Sequence, residues 1–212
     1  MNPSMQHCNG NIICAIDTET TGLDPKHHEI WQLAILPLTA DLNIRKDILP
    51  LNLMIQPESL DYVDWNIPVF KKNKTRMMDA MKRGFPAETA KDLLGQWIDK
   101  LDLPFTKWGN RKRLLPLGHN YAFDKAFLNS WLGPKQYEEW FDYHDRDTMN
   151  AALYLNDQAA FHGEKVPFSK VNLRWVCHQL KVVNVDAHDA LADCAATADC
   201  YRCLCQRGMF AF

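Results

Sequence analysis

A short apolar run that ends in two closely spaced acids constrains this chain more than any other stretch. Residues 11–16 (NIICAI) have the composition of a buried strand, and Asp17 and Glu19 follow at once. Because strand side chains alternate between faces, both carboxylates are expected on the side that carries Ala15. Left dry and unpaired, they would cost several kcal/mol each. A bound Mg²⁺ or Mn²⁺ would remove that cost; the alternative is a strand end that turns into solvent with its acids hydrated.

Length and composition are those of a soluble globular protein. The 212 residues suffice for one domain with a substantial core, and 47% are hydrophobic and 24% charged. No apolar run approaches the length that spans a bilayer, and residues 1–10 lack a signal-peptide core, so a cytoplasmic protein without a membrane partner is expected. The formal charge of −2 argues against non-specific coating of nucleic acid but is compatible with a local basic groove.

Cysteine usage also favours a reducing compartment. The chain has seven cysteines, an odd number, which does not suit a disulfide framework. Cys200 and Cys203 have the spacing of a zinc half-site, but a continuous helix would turn Cys194 and Cys205 away from it. We therefore expect these thiols to serve helix packing.

Four further strands are predicted, at residues 29–38, 49–56, 114–118 and 143–147. The second of these alternates, with Leu49, Leu51, Leu53 and Ile55 on one face. Short connections favour an antiparallel meander of the first three strands of the chain. Pro116 lacks an N–H donor, so it predicts a sheet edge or a strand end for the strand at 114–118.

Helices are predicted from apolar periodicity and from potential N-caps. An amphipathic helix should open at Pro86, with Leu94 and Ile98 in its apolar stripe. The later helices are expected to start at Asn120, Asp147 and Ser169, and the last one to begin within residues 187–193 and to run towards Arg207.

Two basic segments each have two interpretations. Residues 71–83 carry six lysine and arginine residues, which fits a solvated helix face or, alternatively, a rim that contacts phosphates. Residues 107–113 place Trp108 among basic side chains. We expect Trp108 to pack on the core with the charges exposed, and stacking on nucleic-acid bases is the alternative.

Two more polar pairs lie further along the chain. Asn120 and Asp124 are four residues apart, so they fall on one side of a helix that starts there. His188 and Asp193 are five residues apart, and they can face a common centre only if His188 precedes the helix. The segment 182–185 (VVNV) is a poor helix and favours such a loop. Taken singly, each pair fits a capping or surface role better than a catalytic one.

In this order the three motifs resemble those of the DEDDh family of 3′→5′ exonucleases. The resemblance covers roughly residues 12–206; residues 17–23 (DTETTGL) match the first motif throughout, and residues 188–193 (HDALAD) match the third. The chain is similar to the proofreading exonuclease subunits of bacterial polymerase III, within the ribonuclease H-like superfamily. The resemblance implies a single exonuclease domain over 1–212 and an α/β ribonuclease H-like fold, in which helices flank both faces of a five-stranded mixed sheet.

The resemblance also implies roles for individual residues. Four carboxylates would hold two Mg²⁺ or Mn²⁺ ions, with the first bridging both: Asp17, Glu19, Asp124 and Asp193. His188 would act as the general base, and Asn120 would support the site or touch the substrate. The pocket for the terminal nucleotide would be lined by Thr20, Thr21, Gly22 and Leu23. The chemistry asks for such a set independently, because two metal ions about 3.5–4 Å apart can clamp the attacking and leaving oxygens of a phosphodiester.

Three functions follow as hypotheses. The leading one is a metal-dependent 3′→5′ exonuclease that releases nucleoside 5′-monophosphates from single-stranded DNA. The second is an RNA 3′-end exoribonuclease of the oligoribonuclease or RNase T type; the acids do not separate the two, because a 2′-OH is sensed by pocket shape. The third is a non-catalytic nucleic-acid-binding module, which the presence of all five motif residues disfavours. No polymerase-tethering segment is evident, which favours a free-standing nuclease.

Overall fold

The computed structural model describes residues 11–208, which form five strands and seven helices. The strands are β1 (Ile12–Thr20), β2 (Ile30–Pro37), β3 (Leu51–Met54), β4 (Leu114–Gly118) and β5 (Arg146–Asp147). The helices are α1 (Pro68–Arg83), α2 (Ala87–Lys100), α3 (Tyr121–Leu132), α4 (Pro134–Trp140), α5 (Thr148–Phe161), α6 (Leu173–Leu180) and α7 (Ala190–Gly208). The predicted polar tail at residues 1–10 lies outside the described residues.

All five strands join one sheet in the order β3-β2-β1-β4-β5. β1 pairs antiparallel with β2, and β2 antiparallel with β3, so the predicted meander is confirmed. β4 runs parallel to β1, and β5 parallel to β4. The carboxyl ends of β1, β4 and β5 therefore meet at one edge of the sheet, and the residues that follow these strands are brought together there.

The two faces of the sheet are covered by different helices, which confirms the predicted fold class. Ile12, Cys14 and Ile16 of β1 pack on the face occupied by α2, α3 and α4. Ile13 and Ala15 pack on the opposite face, against α7. Burying each large aliphatic side chain of this kind contributes about 1.5–3 kcal/mol. This alternation along β1 is the one predicted from the sequence, and the side of β1 that carries Ala15, Asp17 and Glu19 is the side of α7.

The prediction that Pro116 marks a sheet edge is wrong. β4 lies between β1 and β5, and Pro116 pairs with Cys14 of β1. On the β5 side, Leu114 bridges to Phe141 and the ladder of β5 begins only at Leu117. Within the described residues no bridge partner lies opposite Pro116 on that side, so the missing N–H breaks no pairing there.

Two predicted features of the secondary structure are also corrected. α6 is capped by Asn172, whose side-chain oxygen accepts the N–H of Trp175 at 3.1 Å, rather than by Ser169. Leu49 lies outside β3 and is 83% exposed, because Pro50 separates it from the paired residues. The start of α2 directly after Pro86 and the capping of α5 by Asp147 are confirmed.

Trp108 does not pack on the core. Its side chain is 75% exposed, and the Nζ atom of Lys107 lies 4.2 Å from the centroid of its ring. The other basic segment, residues 71–83, lies within α1, where Lys71 and Lys74 are exposed as a solvated helix face requires. None of the helices in the described part of the chain has the length and apolar character to cross a bilayer.

Candidate metal centre

β1 is longer than its parallel neighbour, and this leaves its acidic end open on one side. β4 pairs with β1 only from Ile12 to Ala15, whereas the pairing with β2 continues to Thr20. Asp17 and Glu19 therefore lie on a strand that is held by β2 but has no strand partner on the β4 side. This unpaired side is where α3 approaches β1.

Asp124 fills the space beyond the end of β4. It lies in the first turn of α3, and its Oδ1 atom accepts two hydrogen bonds from Thr18, one from the backbone N–H at 2.8 Å and one from the hydroxyl at 2.7 Å. Thr18 is on the α3 side of β1, while Asp17 and Glu19 are on the α7 side. The carboxylates thus approach the tip of the strand from both faces.

Asp147 fixes the start of α3 from a distance. Its carboxylate accepts the N–H of Asn120 at 3.1 Å and that of Tyr121 at 2.7 Å, and it also caps α5. Asn120 occupies the N-cap position of α3 with a positive φ of 61° and makes no side-chain capping bond. Asn120 therefore marks the start of α3, as predicted, but its side chain does not cap the helix; the carboxylate of Asp147 accepts the N–H groups of Asn120 and Tyr121 instead.

His188 precedes α7, as the spacing to Asp193 required. Its backbone has a positive φ of 72°, and its N–H donates to Oδ2 of Asp193 at 3.1 Å. Asn184 donates to the other carboxylate oxygen of Asp193 at 2.5 Å. One ligand atom each of Glu19, His188 and Asp193 lies within 4.8 Å of the others.

The electrostatics of the cluster are unfavourable without a cation. Burial, followed by repulsion from Asp124 and Glu19, raises the pKa of Asp17 well above its usual range. Burial and repulsion from Asp193 and Asp124 do the same for Glu19, and burial raises the pKa of Asp124 to about 7. The pKa of Asp193 is also raised, chiefly by burial.

Asp17 has the least compensation of these groups. Within residues 11–208 its carboxylate receives no side-chain or backbone hydrogen bond, and the charges that shift its pKa most are all carboxylates. Buried like charges of this kind are normally paired or coordinate a metal. A cluster of carboxylate oxygens with one imidazole suits a hard divalent cation such as Mg²⁺ or Mn²⁺.

The residues predicted to line a nucleotide pocket divide into two groups. Thr20 and Thr21 are buried and shape the turn after β1: the Thr20 hydroxyl donates to the carbonyl of Gly22 at 2.6 Å, and the Thr21 hydroxyl accepts the N–H of Glu29 at 2.9 Å. A Cβ on Gly22 would lie 1.9 Å from the ring of His28, so a side chain has no room there. Leu23, in contrast, is exposed.

Three donors from α1, which the sequence analysis did not assign to the site, hold the loop of His188. The Asn73 amide donates to Oε2 of Glu19 at 3.2 Å and to the His188 carbonyl at 3.3 Å, although its side chain is only 2% exposed. Arg76 donates to the same carbonyl at 3.0 Å and pairs with Asp186. Lys72 donates to the carbonyl of residue 187 at 2.8 Å. The six basic residues of segment 71–83 indicated a possible binding role for this segment, but nothing in the sequence indicated that Asn73 bonds to Glu19 and His188.

Gln32 ties the start of α7 to the sheet. Its amide nitrogen donates to Asp189 at 3.1 Å and to Asn52 at 3.0 Å, and its amide oxygen accepts the N–H of Ala190 at 3.4 Å. This buried side chain on β2 thereby fixes the first turn of α7, on which Asp193 stands.

Comparison with known proteins points to one class of enzyme. A family model described as an exonuclease, of the RNase T type, matches residues 14–82. The chain is 32% identical over 144 residues to an oligoribonuclease of Mannheimia succiniciproducens, which covers 68% of this chain and 72% of the relative. The matched region of the family model includes Asp17 and Glu19 and ends in α1.

Several solved structures share the fold at low sequence identity. Exonuclease I from Methylocaldum szegediense is 21% identical with a TM-score of 0.62 over 93% of this chain and 41% of its own. Exonuclease I from E. coli, in complex with a 5cy-dT13 oligonucleotide, is 16% identical with a TM-score of 0.69. This match covers 94% of this chain and 42% of the exonuclease I chain. Cell-death related nuclease 4 (CRN-4) is 17% identical with a TM-score of 0.65, and the match covers 93% of this chain and 64% of that chain. The chain thus spans about two fifths of the exonuclease I chains.

Removing one of the repelling charges should stabilise the metal-free protein. A carboxyl group whose pKa is higher in the folded protein stabilises the fold below its unfolded pKa and loses that contribution as the pH rises through the folded pKa. We expect Asp17→Asn to raise the melting temperature in EDTA, by roughly 2–4 °C per kcal/mol relieved. The gap to the wild type should widen from acidic towards neutral pH, as measured by scanning calorimetry.

Adding Mg²⁺ should raise the melting temperature of the wild type more than that of Asp17→Asn, because a cation that binds only the folded protein stabilises it. Asp157→Asn, on the exposed side of α5, is the control and should follow the wild type in both conditions. A rise with Mg²⁺ that is as large in Asp17→Asn as in the wild type would contradict a metal centre at this position.

Proposed function

This chain belongs to the DEDDh family of 3′→5′ exonucleases, and we propose that it shortens single-stranded nucleic acid from the 3′ end, releasing nucleoside 5′-monophosphates. The observation that carries the proposal is the convergence of Asp17, Glu19, Asp124, Asp193 and His188 at the tip of β1. Asp124 comes from α3, Asp193 from α7 and His188 from the loop before α7, so only the folded chain assembles the set.

The four carboxylates, Asp17, Glu19, Asp124 and Asp193, are proposed to hold two divalent ions, Mg²⁺ or Mn²⁺. Lewis acidity towards the scissile phosphodiester would come from ions bound there. Asp124 is held by both donors of Thr18, and Asp193 by Asn184 and the His188 N–H, so these two carboxylates are oriented in advance. Such preorganisation lowers the cost of reaching the transition state.

His188 is proposed as the general base. Burial, together with Lys72 and Arg76, lowers the pKa of His188, whereas Asp193 raises it. The net direction is down, so the imidazole is neutral at neutral pH and can accept a proton from the attacking water. The hydrogen bonds from Asn73 and Arg76 to its carbonyl hold the backbone of this residue and thereby place the ring.

The terminal nucleotide is proposed to lie beside the turn that follows β1. Thr20 and Thr21 maintain the shape of this turn, Gly22 keeps it narrow, and Leu23 presents an exposed apolar side chain to a base or sugar. Asn120, exposed at the start of α3, is placed to support the same substrate.

The polymer has two candidates. Single-stranded DNA is the first candidate, because the sequence motifs resemble those of proofreading exonuclease subunits of polymerase III. RNA is the second candidate, because the relative from Mannheimia succiniciproducens, 32% identical over 144 residues, is an oligoribonuclease. The four acids serve either polymer, and discrimination would come from the fit of the 2′-OH in the pocket.

A direct assay uses matched 5′-labelled DNA and RNA single strands with Mg²⁺, with Mn²⁺ and with EDTA. We expect a metal-dependent ladder that shortens from the 3′ end and disappears in Asp17→Ala, because the mutation removes one of the four carboxylates that would hold the ions. Asp157→Ala on α5 is the control and should keep the ladder. The polymer that is degraded faster identifies the substrate. No shortening of either strand by the wild type would refute the proposed activity.

The role of α1 can be tested separately. Arg76→Gln should lower kcat by roughly ten- to a hundredfold with little change in KM, because small displacements of a catalytic group are costly while substrate contacts remain. Arg83→Gln is the matched control on the same helix, since Arg83 pairs with Asp79. Equal losses in the two variants, or a change confined to KM, would argue against a positioning role for Arg76.

A further inference from the structure

A short hairpin between α2 and β4 has a fixed shape and an exposed tip. The N–H of Lys112 donates to the carbonyl of Pro104 at 2.8 Å, and that of Thr106 to the carbonyl of Asn110 at 2.7 Å. Arg111 attaches the hairpin to α2 by hydrogen bonds of 2.7 Å to Asp99 and to the carbonyl of residue 98. The segment 104–112 is therefore a structured projection with Trp108 at its tip.

Three large aromatic side chains are exposed on and beside this hairpin. Phe105 is 68% exposed, Trp108 75% and Tyr143 69%. Exposed aromatic faces are what single-stranded nucleic-acid binders use to stack bases without regard to sequence. The centroid of the Tyr143 ring also lies 3.8 Å from that of the His144 ring, so a pair of adjacent rings stands beside the hairpin.

Four of the cations around these rings lack acidic partners, whereas Arg111 pairs with Asp99. Within residues 11–208 no carboxylate lies within ion-pair distance of Lys107, Lys112, Arg113 or Arg146, although the protein has a net charge of −2. A cleft of about 410 Å³ separates the hairpin from residues 142–146. Asp142 is the one acidic residue that lines it in the described part of the chain, and its carboxylate is hydrogen-bonded to Asn11 at 3.3 Å and to His144 at 2.9 Å.

We propose that this hairpin and cleft, here called the hairpin surface, bind single-stranded nucleic acid at a distance from the metal centre. Unpaired cations attract phosphates and release their counterions, and the interleaved aromatic rings stack on bases. A protein partner would not require this combination of unpaired basic and flat aromatic groups. The proposal rests on the proposed function, because the bound strand is the 5′ portion of the exonuclease substrate.

The position of the hairpin surface determines which substrates use it. Arg113 immediately precedes β4, and Asn11, which also lines the cleft, immediately precedes β1. The surface thus lies at the amino ends of the two parallel strands, whereas Asp17 lies in the carboxyl-terminal half of β1 and Asp124 follows β4. Four to five residues of extended strand separate the ends, about 13–17 Å. A strand that occupies both sites must span this distance, so only substrates longer than a few nucleotides reach the hairpin surface from the metal centre.

Binding can be measured without turnover, in EDTA, with fluorescent single strands of about 4 and about 20 nucleotides. The wild type should bind the long strand at least tenfold more tightly than the short one. The double variant Lys112→Glu/Arg113→Glu should lose this advantage, and the slope of log K against log salt should shrink by about 1.4, for two phosphate contacts. Trp108→Ala should weaken long-strand binding about tenfold, and Trp108→Phe should restore most of it.

Lys46→Glu, an exposed cation between β2 and β3, is the charge control and should leave long-strand binding within about twofold of the wild type. Cleavage of the short strand by all variants should equal that of the wild type. A length advantage that persists in both the double variant and Trp108→Ala would overturn the proposal, as would an equal loss in Lys46→Glu. Absence of cleavage by the wild type would count against the exonuclease, while the EDTA measurement would still decide the hairpin surface.

Discussion

Mutual repulsion among buried and half-buried carboxylates at the end of β1 is the constraint on which the rest of this structure depends. Asp17 has no hydrogen-bond donor among the described residues, and the charges that act on it most strongly are negative. A fold gains nothing from such a cluster in isolation, since like charges that are partly removed from water are costly unless they are paired. A bound cation would both offset the repulsion and take part in the proposed reaction. The cluster therefore links the stability of the fold to the proposed activity.

The surrounding structure holds the repelling groups in place. Thr18 holds Asp124 from β1, and Gln32 holds the first turn of α7 from β2. Asp147 caps α3 and α5 together, so one carboxylate outside the cluster sets the direction of the helix that carries Asp124. Asn73, buried on α1, joins Glu19 to the loop of His188. Each element near the site therefore contributes a bond that orients an acid or the histidine.

The sequence was sufficient where local pattern determines structure. Alternation placed Asp17 and Glu19 on one side of β1, and the five-residue spacing placed His188 before α7. It was insufficient where a distant group decides. The sequence does not show that Asp147, rather than the side chain of Asn120, binds the N–H groups at the start of α3. Nor does it show that Pro116 lies opposite a gap in the pairing with β5. Trp108 is exposed because the hairpin projects from the core, which hydrophobicity alone does not indicate.

The central claim is that the four carboxylates are built to hold divalent ions, and crystals grown with Mn²⁺ test it most directly. Anomalous scattering should show manganese bound within about 2 Å of oxygens of Asp17, Glu19, Asp124 and Asp193. We expect two peaks among these four carboxylates. Ordered carboxylates with no manganese among them, at a concentration that saturates any activity, would contradict it.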